Sequence, residues 1–337
     1  MALAVRPERP IRRPLPARAS PCPTPKFAVK PLSSKTALAL FALIILAWGL
    51  NWPIAKLILL AGVPPLWLLA IRSAIATVVL LPVTLAARSL RLPRRGDWPI
   101  VLGISLLHMS LFAALMAVGL QYVPVGRSIV LGYTTPLWVV PGAMLFLGER
   151  LSLARVTGVL IGIAGIAVLF NPVGFDWSNR QTVLGNGLLL LASLSWAASM
   201  LQVRAHKWVS TPFELVFWET LVATVALTAA AAGTETFPVI HWDLRLALLF
   251  AYAGIIGVAL AYWAMAVVNR GLPAVTTSLG VLATPVVGLF ASMMVLGEPF
   301  SATLIVAMLL IGAGILLETL NRPKAATVGA PAAPAAR

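Results

Sequence analysis

Long apolar runs alternate with short polar gaps along nearly the whole chain. A helix needs about 20 apolar residues to cross the hydrocarbon of a bilayer. Ten such runs can be marked off, at residues 36–60, 64–87, 98–119, 123–147, 153–171, 184–206, 212–232, 244–268, 273–296 and 301–320. The gaps between them hold 3 to 12 residues, too few for a water-soluble domain. The pattern predicts an all-α membrane protein of ten transmembrane helices, with any chemistry confined to the helix bundle.

The polar punctuation recurs. LGERLS, Leu147 to Ser152, returns as LGEPFS, Leu296 to Ser301, 149 residues later. At the same offset Thr135-Pro136 falls on Thr284-Pro285, Met144 on Met293, and Ala164-Gly165-Ile166 on Ala313-Gly314-Ile315. With small gap shifts Trp48 falls on Trp196 and Arg72 on Glu219. Locally, Gly148 and Gly297 suit a left-handed helix end, Ser152 and Ser301 suit the cap of the next helix, and Glu149 and Glu298 are expected beside that helix's positive N-terminus. The halves are residues 36–171 and 184–320, five helices each. An odd number inverts the second copy in the bilayer, the arrangement of secondary transporters that open alternately to either side.

Charge supplies orientation. With the N-terminus inside, the inner gaps and tails hold twenty of the 25 Lys and Arg and the outer gaps three, Arg127, Arg180 and Arg245. Basic residues gather on the cytoplasmic side of membrane proteins, so both termini are expected in the cytoplasm of a bacterial-type cell, with the chain in the inner membrane. Trp67, Trp98, Trp177, Trp208 and Trp242 fall at run ends, as interfacial rings do.

Composition agrees: 60% of residues are hydrophobic and 10% charged, with a net charge of +15. The basic residues form no basic-aromatic patch on a foldable domain, which excludes nucleic acid as partner. Residues 1–35 are a basic, Pro-rich stretch without an apolar block and are expected to be disordered; residues 321–337 read as a flexible tail. Arg12-Arg13 is not followed by a short apolar region with a small-residue cleavage site, so no cleaved signal is expected. The single Cys22 excludes an intramolecular disulfide framework.

Two five-helix halves, WGLNWPIAK in the first run, a basic residue in LLAIRSAIA of the second, and LGERLS followed by Gly158, Gly162 and Gly165 resemble the drug/metabolite transporter superfamily, EamA type. The resemblance covers both halves and leaves only the tails outside; the long Pro-Arg tail departs from the family's usual short N-terminus. It implies a ten-helix single chain around a central cavity that moves small metabolites.

Charges within membrane spans are expensive and so become functional candidates. Glu219 lies well inside the seventh run, where a carboxylate can carry a coupling proton; alternatively it snorkels or pairs with Arg204 or Lys207. Arg72 occupies the aligned position in the second run. It can hold a substrate carboxylate or phosphate bidentately, or lock the bundle through carbonyls or an acid. A direct Arg72–Glu219 bridge is open. His108, central in the third run, is a proton-shuttle candidate or a packing residue, and Lys56 reads chiefly as snorkelling.

Trp48 and Trp196 are placed to wall a cavity and stack on a ring, or else to pack the bundle. Asn51, Trp52, Tyr133, Thr134 and Tyr262 add polar atoms at membrane depth. Pro53, Pro136 and Pro285 each remove a helical bond to the residue four earlier, Gly49, Gly132 and Val281, and are hinge candidates, or static kinks.

No GxxxxGK[ST] phosphate loop, HExxH or Cys/His cluster occurs, so no ATP site, metal or other cofactor is expected; nor is an enzyme, since no catalytic set can be argued from spacing. The reading is a secondary transporter of a small metabolite such as an amino acid, exported in exchange for protons, with membrane lipid around it. Alternatives are a non-transporting scaffold or receptor, or an importer of a nucleoside or sugar-type metabolite. The sequence leaves the oligomeric state open, a homodimer included.

Overall fold

A computed structural model describes residues 34–148, 152–170, 177–271, 281, 283–299 and 301–320. The expectations for both tails, Cys22 and Glu149 fall outside these residues. The described regular structure is entirely helical. Seven helical stretches are long and apolar enough to cross a membrane, and three shorter apolar helices stand within the fifth, ninth and tenth runs.

The first two runs form α1 (Ser34–Leu60) and α2 (Pro65–Ala86). The third is composite: α3 (Trp98–Gly103), a π-helical segment π1 (Ile104–Phe112), then α4 (Ala113–Tyr122). The fourth is broken into α5 (Val125–Gly132) and α6 (Thr135–Leu147). Next come α7 (Leu153–Phe170), α8 (Arg180–Ala205) and α9 (Pro212–Thr234). The eighth run repeats the composite form, with α10 (Leu244–Ala251), π2 (Tyr252–Leu260) and α11 (Ala261–Gly271). The last helices are α12 (Ala283–Leu296) and α13 (Ala302–Leu320).

Helix ends follow local chemistry. Asn179 Oδ1 accepts from Thr182 N, Asp243 Oδ1 from Leu246 N, and Ser301 Oγ from Leu304 N, each satisfying an amide that has no intrahelical partner. Gly148 and Gly297 stop α6 and α12 with φ of +66° and +68°, the left-handed backbone that only glycine adopts without steric cost.

Two expectations need correction. Pro136 is not a hinge within a helix. The chain turns at Tyr133 and Thr134, and Pro136 sits in the first turn of α6, where an amide would have no helical acceptor anyway. The Gly132 carbonyl is taken by Thr135 Oγ1 at 2.8 Å. Pro285 likewise stands in the first turn of α12. Of the three hinge candidates only Pro53 is interior, in α1.

The Glu298 carboxylate, second, does not serve the helix that follows it. It accepts from Val125 N (2.8 Å) and Gly126 N (3.0 Å), at the start of α5 in the other half. Glu235 serves α2 in the same way, taking Leu66 N and Trp67 N. An anion is favoured at a helix N-terminus wherever along the chain it comes from.

Two helix pairs meet through aligned positions. In α2 and α9, 147 residues apart, Thr77 Oγ1 and Thr224 Oγ1 are 3.0 Å from each other; Thr224 Oγ1 also donates to Ser73 Oγ. Between α7 and α13 the contact is reciprocal. A Cβ on Gly314 would lie 2.4 Å from Gly158 O and 2.9 Å from Gly162 N, and one on Gly165 would lie 3.0 Å from both Ala307 O and Ile311 N. Each partner residue in the second pair sits 149 positions after its counterpart in the first. Membrane helices associate chiefly by such close packing of small residues.

Candidate functional site

The two π segments face a common space. π-helical turns are rare and frequently sit at functional sites. Here His108 and Phe112 from π1, and Gly257 and Val258 from π2, line one cavity of about 150 Å³. The Leu107 carbonyl within π1 accepts from Ser195 Oγ of α8 at 2.7 Å, which ties the wide turns to the neighbouring helix.

The wall is aromatic. Trp48 and Trp52 stand one turn apart on α1, Tyr133 at the α5–α6 break, Trp196 on α8 and Tyr262 on α11. His108 stacks on Trp196, centroids 5.0 Å apart and planes 1° apart. From that slab contacts run both ways, His108 to Tyr262 (6.3 Å) and Tyr262 to Trp48 (6.2 Å), Trp196 to Tyr133 (6.1 Å) and Tyr133 to Trp52 (6.4 Å). Since Trp48 and Trp52 share a helix face, the rings close into a collar. Phe112 packs at a tilt on both His108 and Trp196.

Polar groups are few. Arg72 and Ser73 enter from α2 and Asn51 from α1. No carboxylate among the described residues pairs with Arg72, whose titratable neighbours are Tyr262 and His108. Asn51 Oδ1 is buried and unpartnered; it lies against Gly257, where a Cβ would come within 2.7 Å of it.

Eight of the nine candidate binding or coupling residues, Trp48, Asn51, Trp52, Arg72, His108, Tyr133, Trp196 and Tyr262, thus line this one cavity. Glu219 does not. It is 5% exposed on α9, and its carboxylate pairs with none of Arg72, Arg204 or Lys207. Glu219 and Arg72 both lie within electrostatic range of the cavity residue Tyr262. Thr134 is also elsewhere. Its hydroxyl joins Ser193 Oγ and Trp138 Nε1 in a buried knot between α6 and α8. Lys56 Nζ donates to the Leu120 carbonyl rather than reaching for solvent. Pro285 borders a second, apolar cavity of about 330 Å³ that also touches Tyr133.

Ser73, Phe112 and Gly257 are lining residues that sequence reasoning missed. Phe112 and Gly257 look like any other position of a greasy run; only Ser73, next to Arg72, carried a signal. Among the described residues no His, Cys, Asp and Glu cluster could hold a metal.

On the cytoplasmic side predicted from charge, Asp97 accepts from Val209 N, Ser210 N and His206 Nε2 at 2.9–3.2 Å. Burial by itself would raise this carboxyl. The hydrogen bonds outweigh it and hold the group below the ordinary carboxylate range.

Comparison with known proteins places this architecture. The EamA-like transporter family matches twice, at residues 35–171 and 183–320. An uncharacterized transporter, YvbV of Bacillus subtilis (strain 168), is 30% identical over 88% of this chain and 96% of its own length. A probable terminal-alkyne amino-acid exporter of Streptantibioticus cattleyicolor is 26% identical over 87% of this chain and 98% of its own. A riboflavin transporter of Rhizobium johnstonii is 32% identical over 32% of this chain and 33% of its own. A solved crystal structure shares the fold with a TM-score of 0.59 at 23% identity, over 85% of this chain and 97% of that one. These relatives are transporters rather than enzymes, and this multi-pass helical chain belongs to the EamA-like transporter family.

Proposed function

We propose that the chain is a secondary transporter that exports a small metabolite in exchange for protons, by alternating access around the aromatic cavity. The observation that carries this reading is the cavity itself: a fixed cation from α2 and seven rings from α1, π1, the α5–α6 break, α8 and α11, drawn from both halves. A scaffold or receptor has no need for an uncompensated Arg72 at membrane depth, where such a charge is costly.

In this reading residues 36–171 and 184–320 are inverted five-helix repeats, ten helices in all. Support comes from the reciprocal α7–α13 contact, the Thr77–Thr224 contact, and the two π segments at aligned positions. A contact in which i meets j and j meets i is the signature of a two-fold relation. Both termini lie in the cytoplasm and the protein in the cell inner membrane, on the charge asymmetry of the gaps. The exporter direction is supported by the amino-acid exporter among the relatives.

Glu219 serves as the proton carrier. It is a buried acid on α9, within electrostatic range of the cavity residue Tyr262. In proteoliposomes loaded with an anionic or zwitterionic substrate, Glu219→Gln should remove the dependence of flux on an imposed pH gradient while leaving binding in place. Flux that keeps the wild-type pH-gradient dependence would take Glu219 out of the mechanism.

A further inference from the structure

We propose that this cavity, taken as the transporter's substrate site, selects planar aromatic or heteroaromatic monoanions of one or two fused rings, and requires no amine on them. Three observations converge.

The first is shape. The His108–Trp196 slab, with planes 1° apart, offers a flat edge and face, and the remaining rings of the collar stand tilted or edge-on to one another. Aromatic side chains reward a flat partner that can stack offset or meet an edge; a saturated ring fills the same space without that geometry. The volume, about 150 Å³, is that of an apolar cavity known to accept benzene, which limits the ligand to a small ring system.

The second is charge. An aromatic collar alone would equally suit a quaternary ammonium ion through cation–π attraction. Arg72 reverses that preference. Its guanidinium lines the cavity, and no carboxylate among the described residues neutralises it. A carboxylate entering the cavity meets a planar fork of donors that it can accept bidentately, and a cation meets like charge.

The third is what the wall lacks. Among the described residues it holds no Asp or Glu, so an α-ammonium group finds no counter-ion there. Asn51 Oδ1, buried without a partner, can accept one neutral N–H or O–H from the ring's edge. An amino group is therefore dispensable for recognition, and ring acids without one bind at least as well as their amino-acid counterparts.

The test is equilibrium binding to the purified full chain in detergent micelles by calorimetry. The probes are 2-naphthoate, 2-naphthamide, cyclohexanecarboxylate, 2-naphthyl phosphate, 2-naphthylalanine and a 2-naphthyl trimethylammonium salt. The expected order puts 2-naphthoate at least tenfold tighter than the amide and the saturated acid. The phosphate and the amino acid bind no tighter than 2-naphthoate, and the ammonium salt does not bind. Arg72→Gln should bring acid and amide together, while Arg72→Lys retains part of the gap.

If Arg72→Gln does not yield folded protein, the wild-type series decides alone. Equal binding of acid and amide, equal binding of the saturated acid, tighter binding of the amino acid or the phosphate, binding of the ammonium salt, or no binding of any probe at millimolar concentration would each overturn the proposal. Because binding is read without flux, its failure is distinct from failure of the transport reading. A protein that binds 2-naphthoate but never moves it in vesicles loses the latter alone.

Discussion

Gly312 and Gly314 lie two residues apart on α13, and replacing each by alanine should have opposite effects. A Cβ on Gly312 meets nothing within 4 Å, whereas one on Gly314 would sit 2.4 Å from Gly158 O and 2.9 Å from Gly162 N, against ordinary contact at 3.4–4 Å. Alanine is favoured over glycine within a helix by roughly 0.5–1 kcal/mol, and that gain applies to both variants and cancels in their difference. What remains is the steric cost at residue 314. Overpacking a well-packed site costs about 1–3 kcal/mol, and the obstructing atoms are backbone, which cannot rotate away, so the upper end applies. Gly314→Ala should therefore be roughly 2 kcal/mol less stable than wild type and Gly312→Ala slightly more stable. Thermal unfolding in one detergent at one scan rate, followed by size-exclusion retention of the monodisperse peak, should place the two variants several degrees apart on either side of wild type. Gly165→Ala, pressed between Ala307 O and Ile311 N at 3.0 Å, should fall with Gly314→Ala. Equal melting of Gly312→Ala and Gly314→Ala would refute the idea that direct backbone contact holds α7 to α13.

Two further predictions follow from the carboxylates. Glu298→Gln keeps the shape of the clamp on α5 but removes its charge. Hydrogen bonds to charged groups contribute about 1.5–3 kcal/mol each when buried, and Glu298 is only partly buried, so a loss of about 1 kcal/mol is expected. Hydrogen exchange at Val125 and Gly126 should quicken before any global change; unchanged protection there would show that the clamp contributes nothing. Asp97 sets an acid limit. Its carboxyl is depressed in the folded chain, so the stability it adds is fully present above the ordinary carboxylate pKa of about 3.9 and is lost as pH falls through the depressed value. Asp97→Asn should melt earlier than wild type at pH 7 and lose the wild type's extra acid sensitivity below about pH 4. Parallel pH profiles for the two proteins would contradict this.

The helical runs were legible because the hydrocarbon imposes one simple demand, unbroken apolar length, and a sequence displays that directly. The left-handed stops at Gly148 and Gly297 were legible for a similarly local reason. Half of the cavity residues could be picked out because Arg72, His108 and the tryptophans are anomalous in an apolar run. The break at Tyr133–Thr134 escaped, since no charged residue marks it and Pro136 suits a first turn as well as a kink. The π segments escaped because a wider turn leaves no mark in a run that is apolar all round. Glu298 was assigned to its nearest helix in sequence, whereas its carboxylate answers to amides 172 and 173 residues away. Long-range capping depends on how helices stack, which local spacing does not encode.

The hydroxyl contact between α2 and α9 has a mechanical consequence. Thr77 Oγ1 lies 3.0 Å from both the Ser73 carbonyl and Thr224 Oγ1, and Thr224 Oγ1 can turn to Ser73 Oγ or the Thr220 carbonyl. Both threonine hydroxyls keep a fallback acceptor on their own helix, so the crossing can shear while neither threonine proton is stranded in hydrocarbon. An ion pair at the same place would act as a rivet, because separating buried charges costs several kcal/mol. Hydroxyls make it a bearing.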